Sequence, residues 1–274
     1  MTTGGQSPPD SALQRVSRGC LSLLGMVFHP LGRFCGSLLN DLRTPTRLDK
    51  GLVLVLPGIE GESLLNHNIA RGLADGGVES AIEIFDWTTG VILLFLYQLR
   101  GNRRHIRQAQ RLVERIVAYR QSHPGRPVHL VGHSGGGAMI VLALERLPPK
   151  ENVTCVILLQ SALSPDHDLT AALERTERGI WNIRSALDVF FLGVGTWITG
   201  TLDGRHHAAA GMVGFRQPAG LAPTAQELYA KKLHDLAFRP AMIADFHVGG
   251  HLSVTSRPFL AKHVAPLLIA VETA

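Results

Sequence analysis

The chain has 274 residues, 45% of them hydrophobic, which is enough to enclose a large core without covalent staples. Its three cysteines, Cys20, Cys35 and Cys155, form an odd and scattered set with no C-x-x-C and no zinc spacing. They argue against a disulfide framework or a structural metal, and suit a reducing compartment such as the cytoplasm. The net charge of +5 is concentrated, because residues 100 to 120 hold seven arginines and one acid, Glu114. No nucleic-acid motif accompanies them, so nucleic acid is not an expected partner.

Residues 1 to 10, MTTGGQSPPD, are polar and rich in Gly and Pro, a composition that predicts no stable structure. Apolar residues then recur every three or four positions, as Cys20/Leu21, Leu23/Leu24, Val27/Phe28, Leu31, Phe34/Cys35 and Leu38/Leu39. This spacing predicts an amphipathic helix kinked at Pro30. His29, Pro30 and Arg33 break its continuity as a membrane span, and no cleavage site follows Arg15 and Arg18 in the manner of a signal peptide. Residues 1–48 are therefore expected to be an extension whose apolar stripe packs on the domain formed by 49–274, with peripheral membrane contact as the alternative.

From residue 51 strand-like and helix-like runs alternate. Strands are predicted at Leu52–Leu56, Ala81–Phe85, Val128–Val131, Val153–Leu159, Ile180–Arg184 and Ala241–Val248. Helices are predicted at Ser63–Leu73, Asn102–Tyr119, Gly135–Leu147, Asp168–Glu177 and Arg257–Val271. The alternation implies an α/β fold with a mostly parallel sheet and helices on both faces. Residues 189 to 240 are the least regular and are predicted to form a cap. The run VILLFLYQL at 91–99 is too short to span a bilayer and reads as buried core or as an apolar surface near a substrate entrance. Arg100, Arg104, Arg107, Arg111 and Arg115 recur at helical spacing opposite Leu112, Val113, Ile116 and Val117. A solvated outer helix is the expectation, and contact with anionic lipid the alternative.

The most informative stretch is LVGHSGGGAM, residues 130 to 139. A buried strand leads into Gly132-His133-Ser134-Gly135-Gly136 and a helix-length apolar run follows. Glycines two positions either side of a serine relieve the crowding of a sharp strand-to-helix turn that presents the hydroxyl as a nucleophile. Such a serine needs a base and amides to hold an oxyanion. In DFHVGGHLSV the base is His251, placed in a loop before the C-terminal helix, with His247 as competitor inside the predicted strand. Neither histidine has a carboxylate or thiolate partner that would complete a metal site. In LVLVLPGIEGES the glycines after the strand let the amides of Ile59 and Gly135 face the nucleophile.

With LPGIEG, GHSGG and GGH in that order, the chain resembles the α/β-hydrolase superfamily over roughly residues 50 to 274. The resemblance implies a triad ordered Ser, acid, His. Asp188, just after the strand Ile180–Arg184, is the preferred acid, and Asp203 in GTLDG is the alternative. One departure is that residues 1 to 50 show no β-hairpin of the kind that usually opens this fold. The resemblance further implies acyl transfer through an acyl-enzyme, with no cofactor and no metal. A carboxylic ester is the expected substrate, and the two amphipathic features make a lipid-like ester one option. Thioesterases and acyltransferases share the fold, and a non-catalytic membrane-peripheral binding protein is the rival reading from another class.

Overall fold

The computed structural model describes residues 11–89 and 102–269. The expectations for residues 1–10 and for the apolar run 91–99 lie outside the described residues, as does Arg100. The sheet is built from β1 (Leu52–Leu56), β2 (Ala81–Ile84), β3 (Val128–His133), β4 (Cys155–Leu159), β5 (Ile180–Arg184) and β6 (Leu233–Ala237). All six run parallel, in the order β2-β1-β3-β4-β5-β6. Successive side chains on a strand point to opposite faces, and a sheet covered on both sides buries each of them. Leu52, Leu54 and Leu56 enter one core layer with Leu130, Val156 and Leu158. Val53 and Val55 enter the other with Val131, Ile157 and Leu159.

The first layer is closed by α3 (Asn102–Ser122) and α4 (Gly135–Leu144) through Leu112, Ile116, Met139 and Ile140. The second is closed by α2 (Leu64–Asp75) and a continuous helical segment over 257–269, through Ile69, Leu73, Leu260 and Val264. Much of the arginine stripe is tied down. Arg115 makes a bidentate bond to Glu83 on β2, and Arg104 donates to the Trp87 carbonyl. Arg120 pairs with Glu151 across 2.9 Å.

One predicted strand is absent. Residues Pro240–Asp245 form a 3-10 helix, and the sixth strand is Leu233–Ala237. Periodicity misled here because Met242 is the one apolar residue of 241–248 that is buried, with Ile243 and Val248 exposed, whereas Leu-His-Asp-Leu-Ala lies at the sheet edge and is only partly covered. His251 therefore follows a 3-10 turn and a loop rather than a strand.

The N-terminal segment corrects a second expectation. Helix α1 (Ala12–Val27) starts in a capping box between Ser11 and Gln14. Beyond it the chain continues as 3-10 turns, with Pro30 at the start of His29–Phe34. The segment packs on the domain through small residues. A Cβ on Gly19 would fall 2.2 Å from the Phe246 ring, and one on Gly32 would fall 2.1 Å from the Leu64 amide nitrogen. Between them, the Ser22 hydroxyl accepts the Arg257 N–H at 3.1 Å. Leu39 and Leu42 enter the core. The rest of the predicted stripe faces outward, with Val27 72% and Phe34 84% exposed. The face that approaches the domain is the one whose backbone comes closest, and only Gly and Ser permit that distance.

Candidate active site

β3 ends directly in the turn that carries Ser134, whose φ of 53° and ψ of −119° lie where side-chain-bearing residues are rarely found. The turn is locked by its neighbours. A Cβ on Gly132 would meet the Gly136 carbonyl carbon and the Gly137 nitrogen at 2.6 Å, and one on Gly136 would meet the Leu56 oxygen at 2.4 Å. The Ser134 amide donates to the Leu159 carbonyl at 3.0 Å, which binds the turn to the end of β4. Helix α4 begins at Gly135 and lays its N-terminal dipole behind the serine.

His251 Nδ1–H donates to the Asp188 carboxylate at 2.5 Å, and both side chains are buried. This bond fixes the tautomer and leaves Nε2 as the basic nitrogen. The imidazole lies between two rings, His133 with centroids 4.8 Å apart and Phe191 stacked at 4.9 Å. Burial lowers the basicity of His251 and the His133 charge adds to that, outweighing the Asp188 bond that opposes it. The Ser134 hydroxyl is not hydrogen-bonded to His251 in this geometry. Contacts of this kind commonly tighten only with substrate bound.

The amides of Ile59 and Gly135 donate to no group among the described residues, so both are free to hold an oxyanion. Their loop is pinned by Trp87, whose Nε1–H donates to the Pro57 carbonyl at 2.7 Å and whose ring packs on Gly135.

The competing residues are held elsewhere. Asp203 faces His167 at 3.3 Å and accepts from Thr201 and from the Ser164 amide, and it makes no contact with His251. His167 also bonds Glu145 at 2.7 Å. Burial alone would lower the basicity of His167, but the two carboxylates raise it to about 9. Asp203 therefore ties its own loop to the segment 164–167 that leads into α5 (Thr170–Glu174). His247 is wedged between Phe238 and Phe259, its Nδ1 on Ser253, and burial lowers it to about 4.

Sequence reasoning missed Trp87, Phe191, Glu60 and His133. Trp87 and Phe191 carry no motif. Glu60 and His133 lie inside the quoted motifs, and their pairing arises only when the two loops meet.

Residues 51–180 match the family model described as the α/β hydrolase fold, and the all-parallel sheet covered on both faces has that fold. Solved structures similar to it include a Trichoderma reesei cutinase in complex with a phosphonate inhibitor, at 13% identity, covering 93% of this chain and 97% of that one, with a TM-score of 0.39. A carboxylesterase from Bacillus subtilis is similar at 14% identity over 81% and 84% of the two chains, TM-score 0.36. A dienelactone hydrolase-like promiscuous phosphotriesterase from metagenomic libraries is similar at 14% identity over 77% and 83%, TM-score 0.40. No curated protein sequence matches this chain.

Proposed function

We propose that the chain is a serine hydrolase that cleaves a carboxylic ester through an acyl-enzyme on Ser134. The observation that carries this reading is the strained Ser134 turn, flanked by two undonated amides and served by a histidine already bonded to a buried carboxylate. His251 Nε2 takes the hydroxyl proton as Ser134 Oγ bonds to the ester carbonyl carbon. The Ile59 and Gly135 amides hold the resulting oxyanion, and Asp188 stabilises the imidazolium. The imidazolium gives its proton to the leaving alcohol as the C–O bond breaks. Water then attacks the acyl-enzyme, with His251 as base, and releases the acid and the free serine.

A lipid-like acyl chain is the substrate class the surroundings favour. The segment following Asp188 exposes Phe190, Val194 and Trp197, and its Phe191 lies on the catalytic imidazole, so the approach to the site is apolar. The outward stripe of α1 and the turns after it supplies a second apolar surface suited to peripheral contact with a membrane. No helix among the described residues is long and apolar enough to cross one. The free thiols Cys20, Cys35 and Cys155 suit the cytoplasm.

The test is covalent labelling with a fluorophosphonate, together with turnover of p-nitrophenyl esters of increasing chain length. Label and turnover should both disappear in Ser134→Ala, and kcat/KM should rise with acyl length. A folded Ser134→Ala protein that still turns over ester overturns the reading, and a flat chain-length profile overturns the substrate class.

A further inference from the structure

The site holds a pair, His133 buried and Glu60 12% exposed, for which the steps above have no use. Glu60 lies just past Ile59, and its carboxylate folds back over its own loop. Oε1 accepts the Gly58 N–H at 3.1 Å and lies 3.6 Å from His133 Nδ1. Oε2 fills the place a side chain on residue 58 would need, since a Cβ there would fall 2.3 Å from it and 3.1 Å from the Ser134 Cβ. On its far side His133 sends Nε2–H to the main-chain carbonyl of His251 at 3.1 Å. Polar groups thus line up from Gly58 through Glu60 and His133 to His251, with the Glu60–His133 step a charge contact at 3.6 Å in which Nδ1 makes no hydrogen bond. They link the loop of the oxyanion amides, the residue preceding the nucleophile, and the loop of the base.

We propose that Glu60 and His133 are positioning residues, a largely buried ion pair that sets the oxyanion loop and the histidine loop in register about Ser134. The proposal rests on the serine-hydrolase reading above. Two physical points support it. First, among the described residues Oε1 and Nδ1 have no other charged partner, and the remaining titratable groups that act on the pair are His251 and Asp188. Burial alone would push the Glu60 carboxyl up and the His133 imidazole down. Each partner's charge outweighs that, leaving the carboxyl below its ordinary range and the imidazole above it. Second, a buried charge stripped of its partner is strongly unfavourable, so such a pair favours the one loop arrangement that keeps both members together. The His133 charge also adds to burial in lowering the basicity of His251, against the Asp188 bond that raises it.

Glu60→Gln keeps an acceptor for the Gly58 amide while removing the charge, and His133→Asn removes the cation. For p-nitrophenyl butyrate we expect Glu60→Gln to lower kcat about 10- to 100-fold with little change in KM, the cost of a slightly misplaced reacting geometry. We expect His133→Asn to move the acid limb of the kcat/KM profile to higher pH by roughly one unit, because a positive neighbour is lost and a negative one kept. By NMR, the His133 ring should stay protonated through neutral pH in the wild type and lose its proton there in Glu60→Gln. A folded Glu60→Gln protein with wild-type kcat, an unmoved acid limb in His133→Asn, or a neutral His133 ring in the wild type each overturns the proposal. Where one variant does not fold, the other decides, and the wild-type ring signal stands by itself. Turnover that survives Ser134→Ala is a different failure, that of the hydrolase reading, and removes this proposal with it. Ser134-dependent turnover with both variants unaffected removes this proposal alone.

Discussion

Replacing Asp188 by asparagine changes one oxygen for an NH2 at a position that is 2% exposed, against a histidine that is 7% exposed. In the wild type the carboxylate accepts Nδ1–H at 2.5 Å, and it is the group that offsets the burial disfavouring a charged His251. The proposed ester reaction forms an imidazolium at the transition state, so the stabilisation lost is that of a buried charge losing its partner, about 3 to 5 kcal/mol. At 1.36 kcal/mol per tenfold this corresponds to about 10²- to 10⁴-fold in kcat. The asparagine amide can also donate to Nδ1, which moves the ring proton to Nε2 and removes the base, so the upper end, about 10⁴-fold at neutral pH, is expected. The assay is ester turnover, normalised by fluorophosphonate titration of Ser134 and accompanied by a thermal melt. A folded Asp188→Asn protein that loses less than about tenfold refutes the assignment of this carboxylate as the stabilising partner of the base.

Three further outcomes follow from the same geometry. Asp203→Asn should cost little turnover but lower stability. The raised value of His167 contributes fully below its ordinary 6.5 and is lost as pH rises through about 9, so urea titrations should show a deficit of about 1 to 3 kcal/mol near pH 6 that shrinks toward pH 10, and a deficit independent of pH counts against the pairing. Gly136→Ala places a Cβ between the Leu56 and Pro57 carbonyl oxygens at 2.4 and 2.5 Å; it should destabilise the fold by about 1 to 3 kcal/mol and abolish labelling of Ser134, whereas normal melting and labelling would show that the turn can relax. Changing the outward Leu24, Val27 and Phe28 together to serine should leave the melting temperature close to wild type and weaken sedimentation with anionic vesicles, and equal vesicle binding by both proteins argues against a lipid-facing role.

The parts of the fold that were legible in the sequence are those in which one local rule decides. β1 and β5 read correctly to the residue because short apolar runs bounded by turn residues have few other uses in a parallel sheet. The Ser134 turn was legible because its glycines answer a steric demand that no other residue type meets. β6 was hidden because an edge strand needs little apolar surface, and its Leu-His-Asp-Leu-Ala carries no buried alternation. Glu60 and His133 were in plain view within the two motifs, yet a charge pair across 73 residues of chain leaves no periodic trace.

The N-terminal segment shows the same limit from the other side. Amphipathic spacing identifies a face that avoids water without specifying what that face meets. In Gly19, Ser22, Gly25 and Gly32 the sequence carries a second stripe of small residues, at spacings of 3, 3 and 7, which falls on one side of a helix and its continuation. Small residues permit backbone contact, and this is the side that touches Phe246, Asn68 and Leu64. With that side taken by the domain, Leu24, Val27, Phe28, Leu31 and Phe34 stay between 54% and 84% exposed. The helix is therefore amphipathic twice over, and the apolar stripe that suggested packing is the surface left available to a lipid interface.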